Sequence, residues 1–78
     1  MKWTEVDSAN VSAIGYDTLK RELGIRFRES RRTYFYFDVP ASEYQAFMTA
    51  KSKGTYLNQV FKRKGYKYRD ADSADGLA

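Results

Sequence analysis

The sequence contains no cysteine and no histidine. Without cysteine no disulfide can support the fold, and because zinc is held mainly by Cys and His we expect no structural metal site. We likewise expect no cofactor. Stability must then come from a hydrophobic core, and the aromatic share of 17% can supply one, because each large ring buries about 150–250 Å².

Long apolar runs are also missing from the chain. No stretch of about 18 apolar residues exists, so we expect no membrane-spanning helix and no membrane partner. Residues 1–5 lack the apolar segment of a secretory signal, and the absence of cysteine fits a reducing compartment. We therefore expect a cytoplasmic protein with a single domain.

Residue types that carry out catalysis are scarce. Without His or Cys, a nucleophile would have to be a Ser with a Lys, or a carboxylate of a pair. Among the carboxylates before residue 70, only Asp17 and Asp38 have a suggestive local context, and both are typical of turns or caps. We therefore expect a non-catalytic protein.

The charge is distributed unevenly. The net charge is +4, but residues 70–78 contain three aspartates and no basic residue, so residues 1–69 carry +7. We assign residues 1–69 to the domain and residues 70–78 to a disordered acidic tail. A basic body favours a polyanionic partner such as nucleic acid, although a basic, purely solvated surface is the simpler alternative.

Three strand patterns precede two helical ones. Val11–Tyr16 and Thr33–Val39 are rich in β-branched and aromatic residues, and Leu23–Arg28 alternates apolar with polar residues. Apolar residues at helical spacing predict helices over Ala41–Lys51 and between Ser52 and Gly65. Strands grouped before helices indicate an α+β fold, with a three-stranded antiparallel meander followed by two helices packed on one face.

The second hairpin sets the two faces of the sheet. If it closes symmetrically around Ser30-Arg31, Phe27 lies opposite Tyr34 and Ile25 lies opposite Tyr36. Directly opposed residues point to the same side of a sheet, so both tyrosines should lie on the core side. A bulge of one residue in the loop would reverse this assignment.

The other face of the sheet is then predicted to carry Phe35, Phe37, Arg26 and Arg28. Aromatic rings among arginines form a platform on which bases can stack, with cations nearby for phosphates. The alternative is that this face is covered, either by the N-terminal segment through Trp3 or by a second subunit.

A second cluster follows the last predicted helix. It is the stretch Lys62-Arg63-Lys64-Gly65-Tyr66-Lys67-Tyr68-Arg69, in which five basic residues are interleaved with two tyrosines. The candidate site residues there are Lys62, Lys64, Lys67 and Arg69. Cations and rings in this pattern suit single-stranded nucleic acid. The alternatives are that these cations simply complement the carboxyl end of a helix, and that Tyr66 or Tyr68 closes the core.

Several motifs of this sequence occur together in one known family. They are Val11-Ser12, Ile14-Gly15-Tyr16-Asp17, Leu23-Gly24-Ile25-Arg26-Phe27, Tyr34-Phe35-Tyr36, Val39-Pro40, Tyr44, Ala50, Ser52, Gly54-Thr55-Tyr56-Leu57-Asn58 and Tyr66. On these residues the chain resembles the KTSC domain, named for its occurrence at the C-terminus of some lysyl-tRNA synthetases. The resemblance runs from about Val11 to Tyr68.

The resemblance carries expectations of its own. It implies a free-standing bacterial or phage protein, an RNA-binding role by analogy with the synthetase context, and no catalytic residues. It also marks Tyr34 and Tyr36 as shared and Phe35 as variable, which agrees with the face assignment.

These observations predict a small, non-catalytic module that binds nucleic acid, with RNA favoured. Two alternatives remain open. One is a protein-interaction or regulatory module, for example a phage-encoded inhibitor. The other is a homo-oligomer that binds small nucleotides.

Overall fold

The computed structural model describes residues 1–71 and contains one five-stranded antiparallel sheet. The strands follow one another in chain order across the sheet: β1 (Lys2–Glu5), β2 (Val11–Asp17), β3 (Glu22–Phe27), β4 (Thr33–Tyr36) and β5 (Tyr68–Asp70). The predicted meander is therefore its centre, and one short strand is added at each edge. Sequence reasoning missed β1 because an edge strand of mixed polar residues shows no period-2 pattern.

Helical structure fills the connection from β4 to β5. Helix α1 spans Ala41–Thr49, and helix α2 spans Lys53–Tyr56, with the Ser52 side chain accepting a hydrogen bond from the amide of Thr55. Helix α2 continues as a π-turn over Leu57–Phe61 and a 3-10 turn over Lys62–Lys64, which ends at Gly65 in the left-handed conformation. Within residues 1–71, no helix is long and apolar enough to cross a membrane.

Asp70, the first residue assigned to the acidic tail, belongs to the sheet. Asp70 is the last residue of β5, and its carboxylate forms an ion pair with Arg32. A strand and a charged partner therefore hold this residue on the sheet. Residues 72–78 lie outside the described part of the chain.

The hairpin between β3 and β4 has a register two residues away from the predicted one. Ile25 lies opposite Tyr34, and Leu23 lies opposite Tyr36. The hairpin is centred one residue earlier than Ser30-Arg31: the amide of Phe27 donates to the Arg32 carbonyl, so residues 28–31 form the loop. A shift of two residues leaves every side chain on the same face. The assignment of Tyr34 and Tyr36 to the core side is therefore confirmed.

The hydrophobic core lies between the sheet and the helices. Its fully buried members include Ile14, Leu23 and Ile25 from the sheet and Phe47 and Phe61 from the helical layer. The two phenylalanine rings lie 5.5 Å apart, so α1 and the π-turn meet over the strands. The layer arrangement leaves the opposite face of the sheet without a helix.

We expect Tyr36→Ala to lower the free energy of unfolding by about 3–5 kcal/mol, as for other buried aromatic truncations. Tyr36 is 4% exposed, and its ring lies edge-on to Phe61 at 4.8 Å. Tyr34 is half-buried, so Tyr34→Ala should cost clearly less. Urea denaturation measures the free energy of unfolding of both variants. Tyr36→Phe, which keeps the ring, is the control, and equal losses for the two alanine variants would contradict the prediction.

Candidate functional site

A single row of opposed residues crosses the middle of the face that the helices leave uncovered, called here the open face. In strand order the row contains Trp3, Gly15, Gly24, Phe35 and Arg69. The two glycines leave room for the indole. A Cβ built on Gly24 would come within 2.6 Å of Trp3, and one on Gly15 within 2.9 Å. The absence of side chains at these positions therefore allows Trp3 to lie close against the sheet.

Two guanidinium groups lie over the rings of this row. The Cζ of Arg26 is 4.5 Å from the centre of the Trp3 ring, and that of Arg69 is 4.6 Å from the centre of the Phe35 ring. The two rings meet edge to face, with centroids 6.2 Å apart. Both arginines are exposed. Each such contact is worth about 0.5–1 kcal/mol at an exposed site, enough to bias the side chain towards this position.

The open face is thus partly covered by the chain's own N-terminal strand, as the alternative based on Trp3 predicted. The half-buried Phe35 is not a bare platform, because Trp3 lies at its edge and Arg69 above it. The outer surface at this position is the guanidinium plane of Arg69, which lies over the Phe35 ring. Such planes stack on bases, and their N–H groups bind phosphate oxygens.

Two more of the predicted site residues belong to the same face. Phe37 follows β4, and its amide donates to the Lys67 carbonyl at 2.8 Å. Strand alternation then places Phe37 with Phe35, and Lys67 with Arg69. Five of the eight predicted residues therefore come together here: Arg26, Phe35, Phe37, Lys67 and Arg69.

Carboxylates share the open face but lie towards one side of it. Glu5 belongs to the edge strand β1, and Asp17 pairs with Glu22 between β2 and β3. The cations Lys67 and Arg69 lie at the opposite edge, on or next to β5. The positive end of the open face is therefore the edge formed by β4 and β5.

Arg28, predicted for the open face, has a different role. It lies in the turn after β3, and its guanidinium donates to the backbone carbonyls of Val6 at 3.1 Å and Ser8 at 2.8 Å. The earlier centre of the hairpin explains this, because the loop then begins at residue 28 and Arg28 lies outside the strand. Arg28 therefore stabilises the loop between β1 and β2 through these hydrogen bonds.

The two remaining predicted residues belong to the helical layer. Lys62 is exposed beside two clefts between the helices and the sheet. Lys64 forms an ion pair with Glu43 at 2.5 Å. The predicted set is therefore divided among three places, and only the five residues on the open face form one surface.

Glu43 is the centre of a polar cluster that sequence reasoning missed. The residue is 4% exposed, and its carboxylate accepts hydrogen bonds from Lys64 and from the hydroxyls of Tyr56 and Tyr66. Burial alone would raise the pKa of this carboxyl, but the three donors outweigh burial and lower the pKa below its ordinary value. One signal was present: Glu43 lies four residues before Phe47, on the buried stripe of α1, where a carboxylate requires donors.

We expect Glu43→Gln to lower the free energy of unfolding by about 1.5–3 kcal/mol at neutral pH, the usual size of a hydrogen bond to a charged group. Because the folded-state pKa is lowered, the stabilisation is present above the ordinary Glu pKa of about 4.3 and is lost as pH falls through the folded value. The stability difference from wild type should therefore shrink below about pH 4. Urea melts at several pH values test this. Glu5→Gln, at an exposed carboxylate, is the control, and an equal loss in it would contradict the assignment.

We expect Gly24→Ala to displace the indole of Trp3 from the open face, because the added Cβ would lie 2.6 Å from the ring. Trp3 is the only tryptophan, so its fluorescence reports directly on this contact. The emission maximum should move to longer wavelength, since the ring becomes more hydrated. Gly15→Ala should have the same effect. Unchanged emission in both variants would show that the ring does not rest on the glycines.

Comparison with known proteins supports the fold and its family. Residues 7–66 match the model of the KTSC domain. A crystal structure of the KTSC domain protein YPO2434 from Yersinia pestis is 39% identical with a TM-score of 0.82, covering 88% of this chain and 94% of that one. An uncharacterized protein of Stutzerimonas stutzeri is 37% identical over 68 residues, 87% of this chain and 94% of its own length. A protein of Tsukamurella paurometabola is 33% identical over 57 residues, 73% of this chain and 84% of its own. The chain belongs to the KTSC domain family.

Proposed function

We propose that this protein is a non-catalytic module that binds single-stranded RNA on its open face, at the edge formed by β4 and β5. The observation that carries the proposal is the pair of exposed guanidiniums, Arg26 over Trp3 and Arg69 over Phe35, on adjacent rings of one surface. Lys67 adds a cation beside Arg69.

Arginines that lie over an aromatic ring, as Arg26 and Arg69 do, are well suited to binding single-stranded RNA. An arginine held over a ring has already lost part of its side-chain freedom, so less is lost when a ligand binds. Its outer plane can stack on a base while its N–H groups contact a phosphate. Single strands suit such a surface better than duplexes, because their bases are free to stack on it.

The uneven charge of the open face indicates where a strand would run. Glu5, Asp17 and Glu22 would repel phosphates on the β1 side, whereas Lys67 and Arg69 attract them on the β5 side. The strand is therefore proposed to follow β5. The resemblance to domains appended to lysyl-tRNA synthetases favours RNA among the polyanions, and such a role places the protein in the cytoplasm.

We expect labelled single-stranded RNA to bind with an affinity that falls as salt rises. Three phosphate contacts, from Arg26, Lys67 and Arg69, give a log–log slope of about −2, at roughly 0.7 per contact on single strands. Arg69→Glu should weaken binding at least about tenfold, because it removes both a stacking plane and a charge. Fluorescence anisotropy at several salt concentrations measures both quantities.

The matched control is Arg63→Glu, which changes the net charge equally but lies in the 3-10 turn of the helical layer. It should retain nearly all of the affinity. If wild type fails to bind at low salt, or if Arg63→Glu and Arg69→Glu lose affinity equally, the proposed site is wrong. A protein partner with a hydrophobic interface would instead show little dependence on salt.

A further inference from the structure

A cleft of about 370 Å³ opens on the side of the sheet that faces the helices, called here the tyrosine cleft. It is lined by Tyr34, Tyr36, Phe61, Lys62, Tyr66 and Tyr68. Its volume lies in the range of about 300–1,000 Å³ that is typical of small-molecule sites. None of the five open-face residues lines it.

The walls of the tyrosine cleft are two aromatic pairs. The rings of Tyr34 and Tyr68 stack at 5.1 Å with an angle of 16° between their planes. Phe61 and Tyr66 lie 5.0 Å apart on the helical side. Tyr36 lies between the two pairs, at 4.8 Å from Phe61, 5.1 Å from Tyr68 and 6.4 Å from Tyr34. It is therefore the floor of the cleft, while Tyr68, 55% exposed, is at its mouth.

The hydroxyl of Tyr36 has a hydrogen-bonding capacity that the described residues do not use. The residue is 96% buried, yet the hydrogen bonds of residues 1–71 include none from this hydroxyl. No fully enclosed side-chain oxygen or nitrogen in that part of the chain lacks a partner. The Tyr36 oxygen therefore keeps some exposed surface, and the tyrosine cleft is a cavity that this residue lines. Burial, followed by the neighbouring Tyr68 and Tyr34, raises the pKa of Tyr36 to about 12, so at neutral pH the group is a proton donor.

Lys62 supplies the charge at the rim. It is exposed, and neither of the two salt bridges within residues 1–71 involves it. It also lines an adjoining cleft of about 330 Å³, together with Asn10 and Asn58. The combined surface thus offers stacking rings, one buried donor, one cation and two amide side chains in succession.

We propose that the tyrosine cleft binds a nucleoside monophosphate, with the base among the tyrosine rings and the phosphate on Lys62. The Tyr36 hydroxyl donates to an acceptor on the base, and the sugar lies towards Asn58. Tyrosine-lined pockets also bind quaternary ammonium ions. Here the ammonium of Lys62 at the rim repels a cation and attracts an anion. The nucleotide is either free or the splayed nucleotide of an RNA strand, and the site is independent of the open face.

Adenosine and uridine monophosphates are the probes. Titrated into ¹⁵N-labelled protein, at least one should give saturable amide shifts around Tyr34–Tyr36 and residues 61–68. The corresponding nucleoside should bind about tenfold more weakly, since a charged hydrogen bond is worth at least about 1.5 kcal/mol. Lys62→Gln should lower the affinity for the nucleotide to that for the nucleoside, and should leave the affinity for the nucleoside unchanged. Arg63→Gln, its sequence neighbour, should behave like wild type.

Tyr36→Phe tests the floor of the cleft without removing its ring. It should weaken both nucleotide and nucleoside about fivefold or more, because the base acceptor loses its donor. Arg69→Glu should leave nucleotide binding unchanged, which separates this site from the open face. If a short RNA displaces the nucleotide, the ligand of the cleft is a splayed nucleotide of an RNA strand. If it does not, the ligand is the free nucleotide.

Three results would overturn the proposal. One is the absence of saturable shifts with either nucleotide at millimolar concentration. Another is binding of choline as strongly as the nucleotide. The third is wild-type affinity in both Tyr36→Phe and Lys62→Gln. Because Tyr36→Phe retains the buried ring, loss of folding is not expected to obscure the result.

Discussion

The pleat of β4, continued by Phe37 directly after it, divides four consecutive aromatic side chains between the two faces of the sheet. Tyr34 and Tyr36 point to the helices, and Phe35 and Phe37 point away. Because β4 pairs with β3 on one side and β5 on the other, this alternation also fixes the neighbours of each ring. Tyr68 joins the tyrosines, and Arg69 joins the phenylalanines. A register shift of one residue would exchange these sets and destroy both surfaces at once.

Glu43 links the helical layer to the wall of the tyrosine cleft. Its carboxylate accepts from Tyr56 in α2, from Lys64 in the 3-10 turn and from Tyr66 just beyond it. One buried anion therefore holds three separate points of the chain against α1. Tyr66 in turn packs on Phe61, so the position of that wall depends on the charge of Glu43. Lys64, which sequence reasoning assigned to a ligand, is largely committed to this internal pair.

The parts of the fold that follow from periodicity were predictable from the sequence. Alternation identified β3, β-branched and aromatic residues identified β2 and β4, and helical spacing identified α1 and α2. Which side chains share a face of the sheet was also predictable. The register was displaced by two residues, because it depends on where the hairpin loop is centred. The edge strand β1 carries no such signal, because backbone pairing holds it rather than a buried stripe.

The kinds of side chain at the candidate site were predictable, but not which of the chosen residues belong to it. The sequence indicated arginines and phenylalanines on one face, and five of the eight chosen residues lie there. It did not show that Arg28 would bind the carbonyls of Val6 and Ser8, because those residues are distant in sequence. Glu43 was overlooked because a carboxylate in the first turn of a helix is usually explained by the helix dipole alone.

The open face depends on the weakest element of the sheet. β1 is an edge strand of four residues, with hydrogen-bonded pairing on one side only, and Trp3 is its one large apolar side chain. That ring lies on Gly15 and Gly24, where a larger residue would push it away, and Arg26 lies over it. Strands of this kind open at low free energy compared with the core. Docking of β1 and the position of Arg26 are therefore linked, so a ligand that holds Arg26 over the indole also holds β1 on the sheet. Arg69 does not share this dependence, because its supporting ring belongs to β4, which is paired on both sides.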